Sequence, residues 1–255
     1  MNITIINDCK DENAKGRQLA RIGSIFKSSA NFIGVSNELE AAGNLIDILD
    51  ANGDESGIIL VNVAPRNGKA KKHKNGTPFG YFWYKKTLVV SSIDGFALSL
   101  VKKLKLTKFI NVLDIPEALD TLIKNKFLIP NLKNYITDTQ FRSYDFLPRV
   151  AFYVFTKKSI VSNKIEIEII PDAPMAIWWV DNFGNCKTTV LSGELPKKIK
   201  KLKYYSRLKD VPNKKPALIT GSSGLEDKRF LEIVVQGGSA AKYFGLVSGQ
   251  SRSLT

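Results

Sequence analysis

Five stretches of this 255-residue chain set polar side chains among turn residues where an apolar run ends. They are 8–13, 63–79, 141–145, 181–187, and 221–224 together with Gly237 and Gly238. Polar groups so placed can grip a ligand, because in an open α/β sheet ligands bind beyond the carboxyl ends of the strands. Asp8 is the first of them. Its carboxylate can accept hydrogen bonds from hydroxyl or ammonium groups, and can equally serve a turn or a helix cap. Gly221-Ser222-Ser223-Gly224 has the same two readings, a polar loop or a flexible turn. Other chemistries are not matched. Residues 75–80, Asn-Gly-Thr-Pro-Phe-Gly, lack the Gly-Lys-Ser/Thr that completes a phosphate loop. Cys9 and Cys186 are too few for a disulfide framework and are not spaced as zinc ligands, so no metal is expected. His73, the sole histidine, lies inside Lys-Lys-His-Lys, which reads as a solvated loop rather than a catalytic base.

The elements that must carry these stretches follow from the hydrophobic pattern. Residues 3–6 form a β-branched run ending in Asn7-Asp8, a buried strand that opens into a loop. Residues 13–26 and 38–49 each place apolar side chains on one helical face. Residues 58–63 and 87–90 are further apolar strands, and 96–104 reads as a helix. This alternation predicts an α/β domain with a mainly parallel sheet over 1–158. The remainder, 159–255, changes character. Short apolar or alternating runs at 165–170, 176–180, 187–191, 217–220 and 230–235 are separated by turn residues, which predicts a small barrel-like β domain.

Composition sets broad limits. At 44% hydrophobic and 24% charged the chain has the makeup of a globular protein rather than a disordered one. Its 38 basic against 24 acidic residues leave a formal charge of +14, which favours anionic partners without naming one. The N-terminus carries no signal-type pattern and no apolar run reaches about 18 residues, so a cytoplasmic protein without a membrane partner is expected.

Taken together and in order, the polar stretches resemble the motifs of one family, the S-adenosylmethionine hydroxide adenosyltransferases, whose superfamily also holds the fluorinase and chlorinase. Ile6-Asn7-Asp8 resembles the family's strand ending in Thr-Asp, and Val63-Ala64-Pro65-Arg66-Asn67-Gly68 its Asp-Pro-Gly-Val-Gly loop. Residues 88–95 resemble its Pro-Asn/Asp-Asn-Gly segment. Asp181-Asn182-Phe183-Gly184-Asn185 is similar to its Asp-x-Phe-Gly-Asn motif, the most specific match. Ser222-Ser223-Gly224 followed by Phe230-Leu231-Glu232-Ile233 resembles its Asn-Ser-x-Gly-Tyr-Leu-x-Ile segment, with 225–229 as extra residues. The resemblance implies an N-terminal α/β domain, a C-terminal β-barrel domain, and a homotrimer that holds S-adenosylmethionine, as substrate and not cofactor, between neighbouring subunits.

It also implies roles. Asp8 would clasp the ribose diol, since one carboxylate can accept from two neighbouring hydroxyls, with bonds worth roughly 1.5–3 kcal/mol each when buried. Asp181 would face the methionine ammonium, and Ser222 and Ser223 its carboxylate. Asn185, with backbone near Gly237, would read the adenine edge, and Phe183 would pack on flat ligand surface. The hydrolases hold the attacking water with an Asp, an Arg and a His. Those places fall on Ala64, on or near Lys71, and on Arg142, so that set is not matched. Ser143 stands where the fluorinase has serine and can donate to a halide or to water, while Arg66, Asn67 and Arg142 border the same place.

The expected activity is cleavage of the sulfur–C5′ bond of S-adenosylmethionine by water, giving adenosine and L-methionine. Ser143 motivates a halide nucleophile as an alternative, and the unmatched water-holding set motivates a non-catalytic binder of S-adenosylmethionine or adenosine. A more distant alternative is nucleic-acid binding through the lysine-rich stretches 69–74 and 197–209, with Tyr204 and Tyr205 for stacking.

Overall fold

The computed structural model describes residues 1–64, 77–156, 158–194 and 202–249. The chain opens with β1 (Asn2–Asn7), α1 (Glu12–Phe26), β2 (Asn31–Gly34), α2 (Glu38–Asn52) and β3 (Gly57–Asn62). The Asp11 side chain caps α1 by accepting from the Ala14 N–H. Asn37 caps α2 by accepting from the N–H groups of Leu39 and Glu40. Then come β4 (Phe79–Tyr84), β5 (Thr87–Ser92), α3 (Ser99–Lys103), β6 (Phe109–Leu113), α4 (Ile115–Lys124), α5 (Leu132–Thr137), α6 (Arg142–Asp145), α7 (Leu147–Phe155) and β7 (Asn163–Glu166).

These strands make one sheet in the order β2-β1-β3-β5-β4-β6-β7. Alternate residues of its central strands serve opposite faces. Ile5, Ile58, Leu60, Leu88 and Val90 pack in one core, toward α1, α4 and α7. Ile6, Ile59, Val61 and Val89 pack in the other, toward α2 and α3. Burial on both faces is why β3 and β5 read as unbroken apolar runs.

The sheet corrects the expectation of mainly parallel pairing. The β2-β1-β3-β5 half is parallel, but β5-β4-β6-β7 is antiparallel throughout. The physical reason lies in connection length. Only Lys85-Lys86 separate β4 from β5, and a two-residue link can join only antiparallel neighbours. The last strand, β7, extends the first sheet beyond residue 158, so of the 165–170 run only 165 and 166 are strand, in that sheet rather than the second, and 167–169 form a 3-10 turn. The helix expected at 96–104 is confined to Ser99–Lys103.

The second sheet contains β8 (Ile177–Val180), β9 (Cys186–Leu191), β10 (Tyr204–Tyr205), β11 (Pro216–Leu225) and β12 (Lys228–Val235), ordered β10-β11-β12-β9-β8. A short α8 (Ala240–Phe244) follows. Among the described residues β8 and β10 remain as two edges, so the expected barrel is not closed. The expected turn at 221–224 is instead part of β11, where the register with β12 slips between Thr220 and Gly224. Gly224 sits there at φ +136°, which suits a bulge and glycine in particular.

Helix α2 lies between the sheets, touching β1 and β3 on one side and β8 and β11 on the other. Trp178 of β8 is fully buried against it with Leu39 and Ala176. None of the helices among the described residues is long and apolar enough to cross a membrane.

Candidate functional site

The carboxyl ends of β1 and β3 lie side by side, and Asp8 is built into that junction. Its backbone N–H donates to Asn62 O over 3.2 Å. Its Oδ2 accepts from the Ala64 N–H over 3.2 Å, and its Oδ1 is 3.5 Å from the Asn62 side-chain amide. One step earlier, the buried Asn7 donates its amide to Gln18 Oε1 of α1 at 2.6 Å and accepts from the Cys9 N–H at 2.9 Å. The loop after β1 is therefore held from two sides, which fixes where the Asp8 carboxylate stands.

That carboxylate lines an open cleft of about 530 Å³, within the range of small-molecule sites. Lys10, Asn37, Glu38 and Phe96 line it too, and Pro174 and Gly249 close it from the second half of the chain. The polar groups are themselves placed by hydrogen bonds. Lys10 Nζ donates to Ser36 Oγ at 2.6 Å, and Glu38 Oε2 accepts from the Phe96 N–H at 2.8 Å. Glu40 Oε2 accepts from the Ser36 N–H at 2.6 Å, a reach back from the first turn of α2 that shapes the cleft rim.

The other expected site residues are distributed over separate places. Arg66 and Asn67 lie outside the described residues, as do Lys71, His73, the whole 69–74 run and 197–201. Ser143 is buried on α6. Its neighbour Arg142 donates from Nη1 to Thr77 O at 3.0 Å and lies 5.7 Å from the centre of the Phe79 ring. Burial lowers the Arg142 pKa below its usual value. Neither Ser143 nor Arg142 is among the residues lining the Asp8 cleft.

Asp181, Phe183 and Asn185 form the turn between β8 and β9. Asp181 Oδ1 accepts from the N–H groups of Phe183 and Asn185, and Oδ2 accepts from the Asn185 side chain, all at 2.9 Å. The carboxylate thus organises its own loop. Phe183 projects from it, 72% exposed. Gly184 holds φ +84° and its carbonyl accepts from the Ala241 N–H, which docks α8 and the segment after Gly237 on this turn. The chain that follows α8 runs along β8. Val180 N donates to Ser248 Oγ, and Gly249 N donates to Ile177 O. In this way the second sheet reaches the cleft, although Asp181 itself does not line it.

Ser222 is exposed and Ser223 is buried. The Ser223 hydroxyl is engaged inside the molecule, donating to Asp47 Oδ2 at 2.8 Å and accepting from Lys187 Nζ at 2.6 Å. Tyr205 is partly buried against Val211 and Ala217, and Tyr204 is exposed and bonds Thr220. Sequence reasoning did not single out Lys10, Asn37, Glu38 or Phe96. The signal was present in Asn37 and Glu40, a helix-start spacing that marks where the β2–α2 loop ends. Among the described residues no group of three His, Cys, Asp or Glu side chains is arranged to hold a metal ion.

No family model matches the chain, and no curated protein matches it. Solved structures do. A crystal structure of an uncharacterized conserved protein from Thermotoga maritima superposes with a TM-score of 0.67 at 15% identity, over 97% of each chain. The fold is shared. A conserved hypothetical protein from Thermus thermophilus matches with a TM-score of 0.58 at 16% identity, again over 97% of both chains. At that identity each likeness concerns the fold alone.

Proposed function

We propose that the chain binds S-adenosyl-L-methionine and cleaves its sulfur–C5′ bond by nucleophilic attack at C5′. The observation that carries this reading is the Asp8 carboxylate, fixed by the Ala64 N–H on the wall of a cleft at the carboxyl ends of β1 and β3. A carboxylate held by backbone is preorganised to accept from the two hydroxyls of a ribose. Val35, Leu39 and Phe96 supply apolar wall for a flat base or for the methylenes beside the sulfonium.

In the reaction a water oxygen bonds to C5′ while the C5′–sulfur bond breaks, its electron pair staying on the sulfur of methionine. The water gives up a proton to solvent, and adenosine and L-methionine result. Charge on the sulfonium disappears as the bond breaks, so a site poor in water favours the step. Asp181 does not line the Asp8 cleft of its own chain, so its role toward the ammonium group calls for a neighbouring copy, and a homotrimer is part of the proposal. With its lone pairs directed by three N–H donors, Asp181 is a fixed negative charge at the tip of the second sheet. The engagement of Ser223 by Asp47 and Lys187 leaves Ser222 as the serine available to the ligand carboxylate. A second reading, a halide in place of water, rests on the resemblance at Ser143, which is buried on α6 away from the Asp8 cleft and would have to meet C5′ from there.

The test is incubation of purified protein with S-adenosylmethionine, with and without chloride or fluoride, followed by chromatography. Adenosine and methionine in the absence of halide support hydrolysis. A halogenated deoxyadenosine that forms only with halide supports the second reading. Binding without turnover reduces the reading to a ligand binder, and no binding at all overturns it.

A further inference from the structure

A second concave site lies on the opposite side of the first sheet, between α1, α7 and the start of α5. Arg21 of α1 and Arg149 of α7 line one groove of about 380 Å³. One residue, Asp145, meets both of them. Asp145, 2% exposed, has Oδ1 at 3.6 Å from Arg21 Nη2. Its Oδ2 accepts from Thr139 Oγ1 at 2.6 Å, and its backbone carbonyl, rather than its charge, accepts from Arg149 Nη1 at 3.1 Å. Arg21 also lies 4.2 Å over the Tyr144 ring, and its Nε is buried without a hydrogen-bond partner. Two guanidinium groups against one carboxylate leave a unit of positive charge uncompensated in a half-desolvated place. Burial first, and the neighbouring Arg21 second, pull the Arg149 pKa below its usual value, while the guanidinium remains charged.

Apart from Ser24, whose hydroxyl donates to the Arg21 carbonyl, the rest of the groove is apolar. Phe127, Leu132 and Phe152 form its walls, and Ile129 stands at its rim, 58% exposed. A site with a cationic end and an apolar trough suits an anion that carries an apolar tail. A planar carboxylate matches the fork of a guanidinium, and one net charge answers one uncompensated charge. The volume is at the small end of ligand sites, on the order of 300–1,000 Å³, and among the described residues no other charged side chain lines this groove to receive a polyanion.

We propose that this groove binds a monocarboxylate with an aliphatic or aromatic tail, its head on Arg21 and Arg149 and its tail between Phe127, Leu132 and Phe152. The proposal is independent of the Asp8 cleft and of what binds there.

Calorimetric titration of the intact protein with sodium octanoate tests it, with octanol and acetate as probes that keep only the tail or only the head. Octanoate should bind at least tenfold more tightly than either. Affinity should rise by about fourfold per methylene from butanoate to octanoate, the gain that burying each group gives. Arg149→Met should weaken octanoate at least tenfold. Ile129→Glu alters an exposed rim position, leaves the fold intact, and should also weaken it at least tenfold by setting a negative charge on the rim of a groove that receives an anion with an apolar tail. If Arg149→Met does not fold, Ile129→Glu decides alone. Octanol binding as well as octanoate, or octanoate binding unchanged in Ile129→Glu, overturns the proposal. So does the absence of octanoate binding up to about 1 mM, the weak end of specific affinities.

Discussion

Ser223 Oγ donates to Asp47 Oδ2 at 2.8 Å while accepting from Lys187 Nζ at 2.6 Å, so one hydroxyl joins α2 to two strands of the second sheet. Around it the Gly224 N–H donates to Asp47 Oδ1 at 3.1 Å, and Arg229 pairs with Asp50 at 2.7 Å. The outward face of α2 is therefore laced to β9, β11 and β12 by polar contacts, whereas its inner face packs on the first sheet. Because the same helix begins at Asn37 and Glu38 on the cleft, this seam also sets how the two halves of the cleft wall meet.

Lys187 is one of two cations in that seam, 3.5 Å from Asp47 Oδ2 and 5.3 Å from the centre of the Trp178 ring. Lys187→Met keeps much of the stem but leaves Asp47 charged and mostly out of water without its partner. Loss of one member of a shielded pair is costly. Both side chains retain some solvent contact here, so the expected loss is about 2 kcal/mol, below the full buried-pair value. Urea unfolding measures it, and a change below about 0.5 kcal/mol, the usual effect of a surface substitution, contradicts the role given to the seam.

Glu232 on β12 offers a pH test. It is 7% exposed, its Oε1 has no hydrogen-bond partner, and burial is the main cause of a pKa raised above the ordinary 4.5. Burial likewise raises Asp47 above 3.8. For a carboxyl with a raised folded-state pKa, the native form holds more protons than the unfolded form. Its contribution to stability is complete below the unfolded pKa and is lost as pH rises through the folded one. Glu232→Gln removes this term with little change of shape. The variant should gain stability over the native protein as pH rises from about 4.5 toward neutrality, and denaturation series at both ends of that interval should show the gap widen. A gap independent of pH contradicts it.

Much of this architecture was legible from local pattern. The apolar runs of β1, β3 and β5 announced strands buried on both faces, and the one-sided helices α1 and α2 announced themselves by period. Pairing partners were not legible. Parallel and antiparallel neighbours bury the same side chains, and only the two-residue link at Lys85-Lys86 distinguishes them. Closure of the second sheet depends on contacts between edges distant in sequence, which no local window contains. At the site, Asp8 was visible because it ends a strand. Lys10, although inside the 8–13 stretch, and Phe96 were not singled out, since the Lys10 side chain is turned by Ser36 Oγ and the Phe96 backbone is held by Glu38, partners distant in sequence.

Gly43 supplies a packing test of the layer beside the cleft. It lies on α2 where a Cβ would overlap the six-membered ring of the Trp178 indole. Helix propensity alone favours alanine over glycine by roughly 1 kcal/mol. Here the overlap is with a rigid, fully buried ring, and overpacking of that kind costs about 1–3 kcal/mol or more. Gly43→Ala should therefore destabilise despite its better propensity, with a lower thermal midpoint and an altered Trp178 fluorescence. A stabilised variant contradicts the close approach of helix and strand.

Asp8→Asn examines the ribose clasp. The asparagine Oδ1 can still accept from the Ala64 N–H, so the loop between β1 and β3 keeps its anchor and the folded state changes little. What is lost is the charge, and with it an oxygen that accepts from a second hydroxyl. Charge-assisted bonds contribute roughly 1.5–3 kcal/mol each, and about 1.4 kcal/mol is tenfold in affinity. S-adenosylmethionine and adenosine should therefore both bind at least tenfold more weakly to the variant. A 2′,3′-dideoxy analogue cannot use the clasp and should bind the native protein and the variant alike. Equal weakening for the dideoxy ligand assigns Asp8 to the shape of the cleft and not to the sugar, and unchanged affinity for all three ligands removes Asp8 from the site altogether.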